Sequence, residues 1–409
     1  MNLAFYTKYY KILAVKGLNY IERDITEHLQ RVMKLFPVVT VCGPRQAGKT
    51  TLIRHLYPEY EYVNLENTQT RQDFYNDPQY FVRYHKAPCI FDEIQNTPEL
   101  PSMLQEIIDE KDTPGMYILT GSRQMELQQT VTQSLAGRTA FVDLLPLSIH
   151  ELQQAGIRLE RDEQMLKGGL PRAYTQDMPA SLLYDSYLRT YIERDVRQIV
   201  NIRNMQSFEL FIKLLAARVG QEVNMASMSG DIGVSATTLR EWLAVLEASY
   251  IVFTLRPYYQ NFGKRLTKSP KIYFTEPGLV SLLLGISTPE QMGRDPLMGH
   301  VFENMVVVEA LKARLNAGKS PELYFFRDTR GFEIDLILDE QRRPRPIEIK
   351  AAMSFTPGMT KALQQFSSKV AAATTPTLLY SGPPIGEVEG IRILPYTVLH
   401  SIINSQTNT

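Results

Sequence analysis

The sequence lacks several features that would place it in a specialised class. Its 409 residues include only two cysteines, Cys42 and Cys89, each inside an apolar run, so a disulfide framework is not expected and a reducing compartment fits best. No apolar run approaches the roughly 18 residues that a membrane helix needs, and the first twenty residues do not resemble a signal peptide. We therefore expect a soluble, cytoplasmic chain without a membrane partner.

The chain also lacks an excess of either charge, because Lys plus Arg and Asp plus Glu both number 44. Any attraction to nucleic acid must then come from a local basic patch. The six histidines show no metal-ligand spacing, and neither an internal repeat nor a low-complexity linker is present. At this length two or three domains are expected.

What the sequence does contain is an alternation of apolar strands and helical patterns from about residue 20 to residue 150, which favours a parallel sheet covered by helices. Further on, two helical patterns flank Ile232–Gly233–Val234, Ser235 is placed to cap the second helix, and the β-rich run YIVFTL follows, which is the outline of a winged helix. The predicted units are an N-terminal extension at 1–19, a core at 20–164, a helical linker or lid at 165–204, a winged helix-turn-helix at 205–262 and a C-terminal α/β domain at 263–409.

The strongest local signal is GPRQAGKT at residues 43–50, which fits G-x-x-x-x-G-K-[ST] and lies between an apolar strand and a helix. Glycines let backbone N–H groups face a phosphate, and the helix N-terminus adds a partial positive charge. Lys49 is expected to reach the terminal phosphates and Thr50 to bind Mg²⁺. The predicted ATP-binding residues are Gly43, Pro44, Arg45, Gln46, Ala47, Gly48, Lys49, Thr50 and Thr51.

A second part of this site is predicted at CIFDE, residues 89–93, an apolar strand that ends in two acids. Asp92 is expected to hold Mg²⁺ through water and Glu93 to activate the attacking water, although two such acids alone often mark a solvated strand end. The next strand ends in ILTGSR and offers Ser122 near the γ-phosphate. Arg138 is either a transition-state finger or a salt-bridged surface arginine.

Late in the chain, GFEIDLILD and IEIKA predict a second acidic site. Because side chains alternate along a strand, Glu348 and Lys350 share one face, and Asp335 can join them if the two strands are neighbours. Glu303, on a predicted helix, can add a fourth group. Oxygen ligands of this kind suit Mg²⁺-dependent phosphodiester cleavage, whereas a lone E-x-K is also a frequent exposed strand face.

A basic segment at residues 255–271 carries no acid and interleaves tyrosines and a phenylalanine with its charges. Such a segment either contacts nucleic acid or forms a solvated linker. The predicted contacts are Arg256, Lys264, Arg265, Lys268 and Lys271. The helix at residues 235–249, by contrast, offers little to read base edges beyond Arg240.

The ordered series GPRQAGKTTL, FDEIQ, LTGSRQ, LAGR, LPLSIHEL, GGLPRAY and YIERDV resembles a family of prokaryotic AAA-type ATPases. In that family an ATPase core is followed by helices, a winged-helix segment and a C-terminal domain of unknown function, itself similar to PD-(D/E)XK nucleases and so to restriction endonucleases. The resemblance implies an α/β fold with a P-loop core and an ATPase that uses ATP and Mg²⁺.

The same resemblance implies Glu303, Asp335, Glu348 and Lys350 as the nuclease-like site. It also implies action on nucleic acid, DNA more than RNA, and homo-oligomers on ATP binding in which Arg138 serves a neighbouring subunit. An alternative remains a nucleotide-dependent switch or a DNA-remodelling ATPase whose C-terminal domain binds DNA or a protein without cleaving.

Overall fold

The computed structural model describes residues 20–122, 131, 134–176, 178–190, 204–258, 269–328, 330–340, 342–370 and 373–404. The predicted extension at 1–19 and three predicted nucleic-acid contacts, Lys264, Arg265 and Lys268, lie outside these residues. The described residues form two β-sheets with helices between and around them.

The first sheet holds five parallel strands, β1 (Val38–Cys42), β2 (Glu61–Asn64), β3 (Cys89–Asp92), β4 (Tyr117–Gly121) and β5 (Thr139–Asp143). Their order is β2–β3–β4–β1–β5, so β4 lies between β1 and β3. Every residue of β1, β3 and β4 is buried, as expected for a parallel sheet covered on both faces. The accompanying helices are Thr26–Met33, Lys49–Leu56, Thr68–Asn76, Pro78–Tyr84 and Leu100–Lys111, with a 3-10 turn at Ile94–Asn96.

Short helices follow this sheet along the chain. They are Ile149–Gln154, Arg161–Lys167, Arg172–Thr175 and Ala180–Tyr187. Ser148 and Glu151 form a capping box at the first of them: the Ser148 hydroxyl accepts from the Glu151 N–H at 3.1 Å, and the Glu151 carboxylate accepts from the Ser148 N–H at 2.7 Å. Glu151 also accepts from Nε of the buried Arg23 at 3.0 Å, which ties this helix to the start of the described chain.

Three helices then form a compact unit, Met205–Ala216, Met225–Ile232 and Ala236–Ala248. Gly233 has a φ of +77° and ends the second helix, as a left-handed residue commonly does. Ser235 caps the third helix by accepting from the Thr238 N–H at 3.1 Å, which confirms the predicted cap. Trp242 packs edge-on against Phe208, with ring centroids 5.3 Å apart, and belongs to the core of this unit.

The second sheet holds eight strands, β6 (Val252–Pro257), β7 (Lys271–Phe274), β8 (Leu323–Arg327), β9 (Glu333–Glu340), β10 (Arg343–Lys350), β11 (Thr377–Tyr380), β12 (Gly386–Val388) and β13 (Ile391–Pro395). The strand order is β12–β13–β11–β10–β9–β8–β6–β7. Because β6 pairs with both β7 and β8, the predicted boundary at 262–263 falls between paired strands. The remaining helical segments are Pro277–Leu283, Pro289–Met292, Met298–Asn316, Lys361–Lys369 and Leu399–Asn404, with 3-10 turns at Pro357–Thr360 and Tyr396–Val398.

The helix Met298–Asn316, 19 residues long, is buried on most of its faces. Asn304 illustrates how its polar groups are satisfied, because the side-chain amide accepts from the Phe274 N–H at 2.7 Å and donates to the Phe274 carbonyl at 3.1 Å. No helix in the described part of the chain is both long and apolar enough to cross a membrane. The architecture confirms the predicted α/β class, with a parallel-sheet core, a helical middle and a C-terminal α/β region.

Charged side chains with little exposure join the C-terminal region to the segment that follows the first sheet. Nζ of Lys312 donates to the Leu147 carbonyl at 2.8 Å and to Glu309 at 2.9 Å. The Glu309 carboxylate accepts from the Ile149 N–H at 2.7 Å. Glu276 accepts from the Gly169 N–H at 2.9 Å and from the Tyr184 hydroxyl. Because an unpaired buried charge is costly, these contacts fix the relative position of the two regions.

One prediction concerns the packing of the helix Pro277–Leu283. A Cβ atom added at Gly278 would lie 2.2 Å from Cε2 of Tyr184 and 2.8 Å from the Leu166 carbonyl oxygen. We expect Gly278→Ala to lower the free energy of unfolding by about 1–3 kcal/mol, the usual cost of overpacking a core. The shift of the denaturant midpoint, followed by circular dichroism, measures this loss.

Gly299 is the matched control, because it also lies in a helix and, among the described residues outside its own helix backbone and chain neighbours, no atom lies within 4 Å of its added Cβ. Gly299→Ala should leave the midpoint unchanged or raise it, since alanine favours a helix by about 1 kcal/mol over glycine. Equal shifts for the two variants would contradict the packing described for Gly278.

A second prediction concerns pH. Burial raises the pKa of Glu276 above its ordinary 4.5. The folded state therefore holds this proton more tightly than the unfolded state, and the resulting stabilisation, complete below about pH 4.5, is lost as pH rises through the folded-state pKa. Glu276→Gln keeps a neutral side chain at every pH. The difference in melting temperature between this variant and the unchanged chain should therefore increase in favour of the variant as the pH rises above about 4.5.

The exposed Glu59 provides the comparison. Melting curves of Glu59→Gln, recorded over the same pH series, should run parallel to those of the unchanged chain. If the difference in melting temperature between Glu276→Gln and the unchanged chain stays constant from pH 4 to pH 9, the raised pKa of Glu276 is ruled out.

Candidate functional site

The GPRQAGKT loop (residues 43–50) connects β1 to the helix Lys49–Leu56 and needs glycine at its first position. Gly43 has a φ of +146°, and a Cβ atom there would lie 2.1 Å from the Leu144 carbonyl oxygen. Gly48 has a φ of +93° immediately before the helix. Gln46 adopts a φ of +61° without being glycine, a conformation that functional loops often retain. The backbone is thus curled at the N-terminus of a helix, where anions bind favourably.

Lys49 is buried beneath this loop. Its Nζ donates to the carbonyls of Gly43 at 2.8 Å and Pro44 at 2.9 Å. Burial lowers the pKa of Lys49, and the nearby carboxylates of Glu93 and Asp92 oppose that shift. The ammonium group is therefore held at the mouth of the loop by acceptors that a phosphate oxygen can replace.

Asp92 is the last residue of β3, and its carboxylate accepts hydrogen bonds from three hydroxyl groups. Its Oδ2 accepts from Thr50 Oγ1 at 3.0 Å and from the Tyr62 hydroxyl at 2.5 Å. Its Oδ1 accepts from Thr120 Oγ1. The structure thus brings Asp92 and Thr50 together as the sequence predicts. The hydrogen bond from Tyr62 to Asp92 was not predicted, because nothing in the sequence EYVN distinguishes Tyr62 from an ordinary strand tyrosine.

Glu93 lies directly after β3 with a φ of +60°, a left-handed conformation that is unusual for glutamate. Its N–H donates to Thr120 Oγ1 at 3.1 Å, and its Oε2 accepts from Ser122 Oγ at 3.3 Å and from the Gln95 amide. Backbone strain held by such contacts is frequent at functional sites. Ser122 therefore lies beside Glu93, close to where the sequence predicts it.

Lys49, Thr50 and Glu93 line a cavity of about 550 Å³, within the range of roughly 300–1,000 Å³ typical of ligand pockets. On one side the cavity is lined by the predicted Arg45, Gln46, Gly48, Lys49, Thr50, Thr51 and Glu93. The opposite wall comes from the short helices after the sheet and includes Pro171, Arg172, Thr175, Gln176 and Thr190. The cavity thus lies between the parallel sheet and the helical middle of the chain.

The sequence did not identify two groups beside this cavity. Arg23 is 6% exposed, and its guanidinium donates to the carbonyls of Ala47 at 2.8 Å and Leu145 at 2.6 Å. Tyr20 stacks on His55 with ring centroids 3.9 Å apart and lines the cavity. Both precede the first strand, where no motif marks them. Arg172 lies in the sequence motif GGLPRAY noted above, but no role was predicted for Arg172 from this motif.

Arg138 lies away from the cavity of its own chain. It precedes β5, at the amino end of the parallel sheet, whereas the GPRQAGKT loop follows β1 at the carboxyl end. Its Nη2 pairs with Oδ2 of Asp109 at 2.9 Å, and both side chains are partly exposed. Arg138 is not among the described residues that line this cavity.

In the C-terminal region, β9 and β10 are antiparallel neighbours and bring the predicted acids together. Oδ2 of Asp335 accepts from the Ile349 N–H at 2.8 Å. Nζ of Lys350 lies 2.5 Å from Oε1 of Glu348 and 3.8 Å from Oδ2 of Asp335. Burial, together with the Asp335 charge, raises the pKa of Glu348 to about 8. A buried carboxyl group of this kind gains most from a nearby cation.

Glu303 is engaged differently. Its Oε1 accepts from Nζ of Lys271 at 3.0 Å and from the Tyr273 hydroxyl at 2.7 Å, and Lys271 also lies 2.5 Å from Oε1 of Glu333. We expected Lys271 to face nucleic acid, but it is 2% exposed and neutralises two acids instead. Among the described residues, no three carboxyl groups of this region place ligand atoms within 4.8 Å of one another. Arg256, on β6, is exposed as expected.

Three family models match successive parts of the chain. A family model described as an AAA domain matches residues 35–153. Models of two domains of unknown function, DUF8612 and DUF4143, match residues 158–290 and 298–399. Among solved structures, the Walker-type ATPase of Pyrococcus abyssi is similar, with 13% identity, a TM-score of 0.44, and coverage of 66% of this chain and 97% of that chain.

Relatives of known sequence extend beyond the AAA domain. Two uncharacterized proteins, one of Mycobacterium tuberculosis and one of Mycobacterium bovis, are each 31% identical over 347 residues. Each alignment covers 84% of this chain and 76% of the relative. The chain therefore belongs to the same family as these two mycobacterial proteins and carries an AAA-type P-loop ATPase domain.

Proposed function

We propose that the chain binds and hydrolyses ATP in the cavity between the parallel sheet and the helices that follow it. The observation that carries this proposal is the meeting of Lys49, the Thr50–Asp92 pair and Glu93 at one cavity of about 550 Å³. These are the groups that phosphoryl transfer needs for positioning and charge stabilisation.

The residues fit a magnesium–nucleotide complex. Thr50 and Asp92 offer the hard oxygen atoms that Mg²⁺ prefers, and their side chains already lie 3.0 Å apart. Among the described residues, the hydrogen-bond acceptors of Nζ of Lys49 are loop carbonyls and not carboxylates, so it can turn to a phosphate without breaking an ion pair there. Bound Mg²⁺ would neutralise charge on the phosphate oxygens.

Within this site, Glu93 is the residue that would orient and deprotonate the attacking water. Ser122 and Gln95 both donate to Oε2 of its carboxylate. The loop amides and Lys49 would hold the phosphates, and Arg172 reaches the cavity from the opposite wall. A cavity closed by two parts of the chain can respond to the loss of the terminal phosphate.

We further propose that hydrolysis is coupled to the C-terminal region. Leu147 and Pro171 line the cavity, and the backbone at Leu147 and Gly169 is held by Lys312 and Glu276 of the C-terminal region. Movement of this wall on nucleotide binding would therefore pull directly on the helices Met298–Asn316 and Pro277–Leu283.

For the C-terminal region itself, two functions remain, each favoured by an observation. Asp335, Glu348 and Lys350 converge on neighbouring strands, which favours a metal-dependent nuclease-like site acting on nucleic acid, DNA before RNA. Lys271 lies between Glu303 and Glu333 and already supplies a cation there. That favours a nucleotide-dependent switch that binds DNA or a protein through its winged helix or C-terminal domain without cleaving.

The ATPase proposal predicts two distinct defects. Lys49→Ala should weaken ATP binding and lower hydrolysis by at least about 100-fold, because a charge at the terminal phosphates is lost. Glu93→Gln should retain ATP binding and lower turnover by about 100-fold or more, since only the general base is removed. Calorimetric titration with ATP and Mg²⁺ and a phosphate-release assay measure the two quantities.

Lys86→Ala removes an exposed lysine outside the cavity and should match the unchanged chain. ATP hydrolysis that survives Lys49→Ala would refute the assignment of the site. Sedimentation with and without ATP tests the proposed oligomer, in which Arg138 would serve the adjacent subunit.

The two C-terminal functions are separated by a cleavage assay. Labelled single- and double-stranded DNA and RNA are incubated with the protein, ATP and Mg²⁺ or Mn²⁺, and Asp335→Ala should reduce any cleavage by at least about 100-fold if the site is catalytic. Asp112→Ala, an exposed acid outside this region, is the control. If no substrate is cut, or if Asp335→Ala cuts as well as Asp112→Ala, the nuclease function is excluded and the switch is favoured.

A further inference from the structure

Three potential metal ligands from distant parts of the chain meet where the two regions join. Asp24 precedes the helix Thr26–Met33, His150 lies in the helix Ile149–Gln154, and His400 lies in the helix Leu399–Asn404. One ligand atom from each lies within 4.8 Å of the other two. Among the described residues, no other group of three or more His, Cys, Asp or Glu side chains places its ligand atoms this close together.

The distances suit one small cation. Nδ1 of His150 lies 2.9 Å from Oδ1 of Asp24, and Nε2 of His400 lies 3.6 Å from Oδ2 of Asp24. In a tetrahedral zinc site, metal–ligand bonds near 2.0–2.1 Å place neighbouring ligand atoms about 3.3 Å apart. The two imidazoles stack with centroids 3.8 Å apart, so one ring must turn before the in-plane lone pairs of both rings can point at one cation.

Surrounding groups already orient the ligands. Ser148 Oγ donates to Oδ2 of Asp24 at 3.2 Å. Nδ2 of Asn404 lies 2.9 Å from Nε2 of His400, the same nitrogen that lies 3.6 Å from Asp24, so this contact must be released when that nitrogen binds a metal. A hydroxyl group bonded to a ligating carboxylate, as Ser148 is to Asp24, is typical of metal sites.

A small cavity adjoins the two rings. It measures about 10 Å³, and its lining includes His150, His400, Glu309 and Tyr396. That volume is close to the minimum for one water molecule. Space for one small ligand therefore exists beside the histidines, where a fourth, non-protein ligand would complete the coordination.

We propose that Asp24, His150 and His400 bind one divalent transition-metal cation, with Zn²⁺ the best match. Two imidazoles and one carboxylate suit zinc and similar metals, whereas Mg²⁺ prefers oxygen ligands alone. The site joins the C-terminal helix to the ATPase domain. Asp24 also follows Arg23, whose guanidinium donates to Ala47 of the GPRQAGKT loop at 2.8 Å. The bound metal thus fixes the C-terminal helix beside a support of the nucleotide loop, and this proposal stands independently of ATP hydrolysis.

The experiment uses the full chain without a histidine tag, stripped with a chelator and then titrated with Zn²⁺ in competition with a chromophoric chelator. We expect one Zn²⁺ per chain. His400→Ala and His150→Ala should each weaken binding by at least about 100-fold, since even partners behind the ligands contribute about 10–100-fold. His85→Ala is the control, because His85 pairs with the single acid Glu61 at 2.6 Å and should leave binding unchanged.

Co²⁺ substitution adds a second readout, because the visible absorption of Co²⁺ reports its coordination and should be lost in Asp24→Asn. His400→Gln covers the case in which an alanine variant does not fold. Zn²⁺ should raise the melting temperature of the unchanged chain but not that of this variant. A stoichiometry near zero, or equal affinity in the unchanged chain and His400→Gln, would overturn the proposal.

Discussion

The buried carboxylate of Asp92 is the interaction on which the nucleotide side of the molecule depends. A buried carboxylate is stable only where hydrogen-bond donors surround it, and here the donors are the hydroxyls of Thr50, Tyr62 and Thr120. They come from the helix after β1, from β2 and from β4. One side chain therefore fixes three elements relative to β3. The hydroxyl and carboxylate oxygens that a hydrated Mg²⁺ requires are prearranged by the same contacts.

The second constraint lies at the junction between the ATPase domain and the C-terminal region. Lys312 and Glu276 are buried there and Glu309 is partly buried, and all three bond to the backbone around Leu147 and Gly169. Removing one partner of a buried ion pair leaves the other charge unpaired in the protein interior, which costs about 3–5 kcal/mol. These contacts therefore stabilise the association of the two regions. They connect the cavity wall at Leu147 to the helix Met298–Asn316, which is the physical basis of the coupling proposed above.

Local patterns accounted for the parts of the site that lie within one element. GPRQAGKT and CIFDE were informative because loop spacing and strand ends are properties of a few adjacent residues. Alternation along β9 and β10 likewise predicted that Asp335, Glu348 and Lys350 lie together. Arg23 and Tyr62 could not be predicted, since their importance comes from partners far along the chain. Lys271 was placed on the surface for the same reason: its basic neighbours suggested solvent, whereas its burial follows from Glu303 and Glu333.

The histidines show how such long-range contacts limit arguments from spacing. Metal-ligand spacing rules describe residues that share a helix or a loop, and by that criterion the six histidines of this chain are unrelated. Asp24, His150 and His400 meet only because the helix Leu399–Asn404 packs at the junction of the two regions. A ligand set assembled by a domain junction has no signature within any single segment. It exists only while the junction is formed, so the proposed metal binding would stabilise the association of the two regions, and that association would strengthen metal binding by the same free energy.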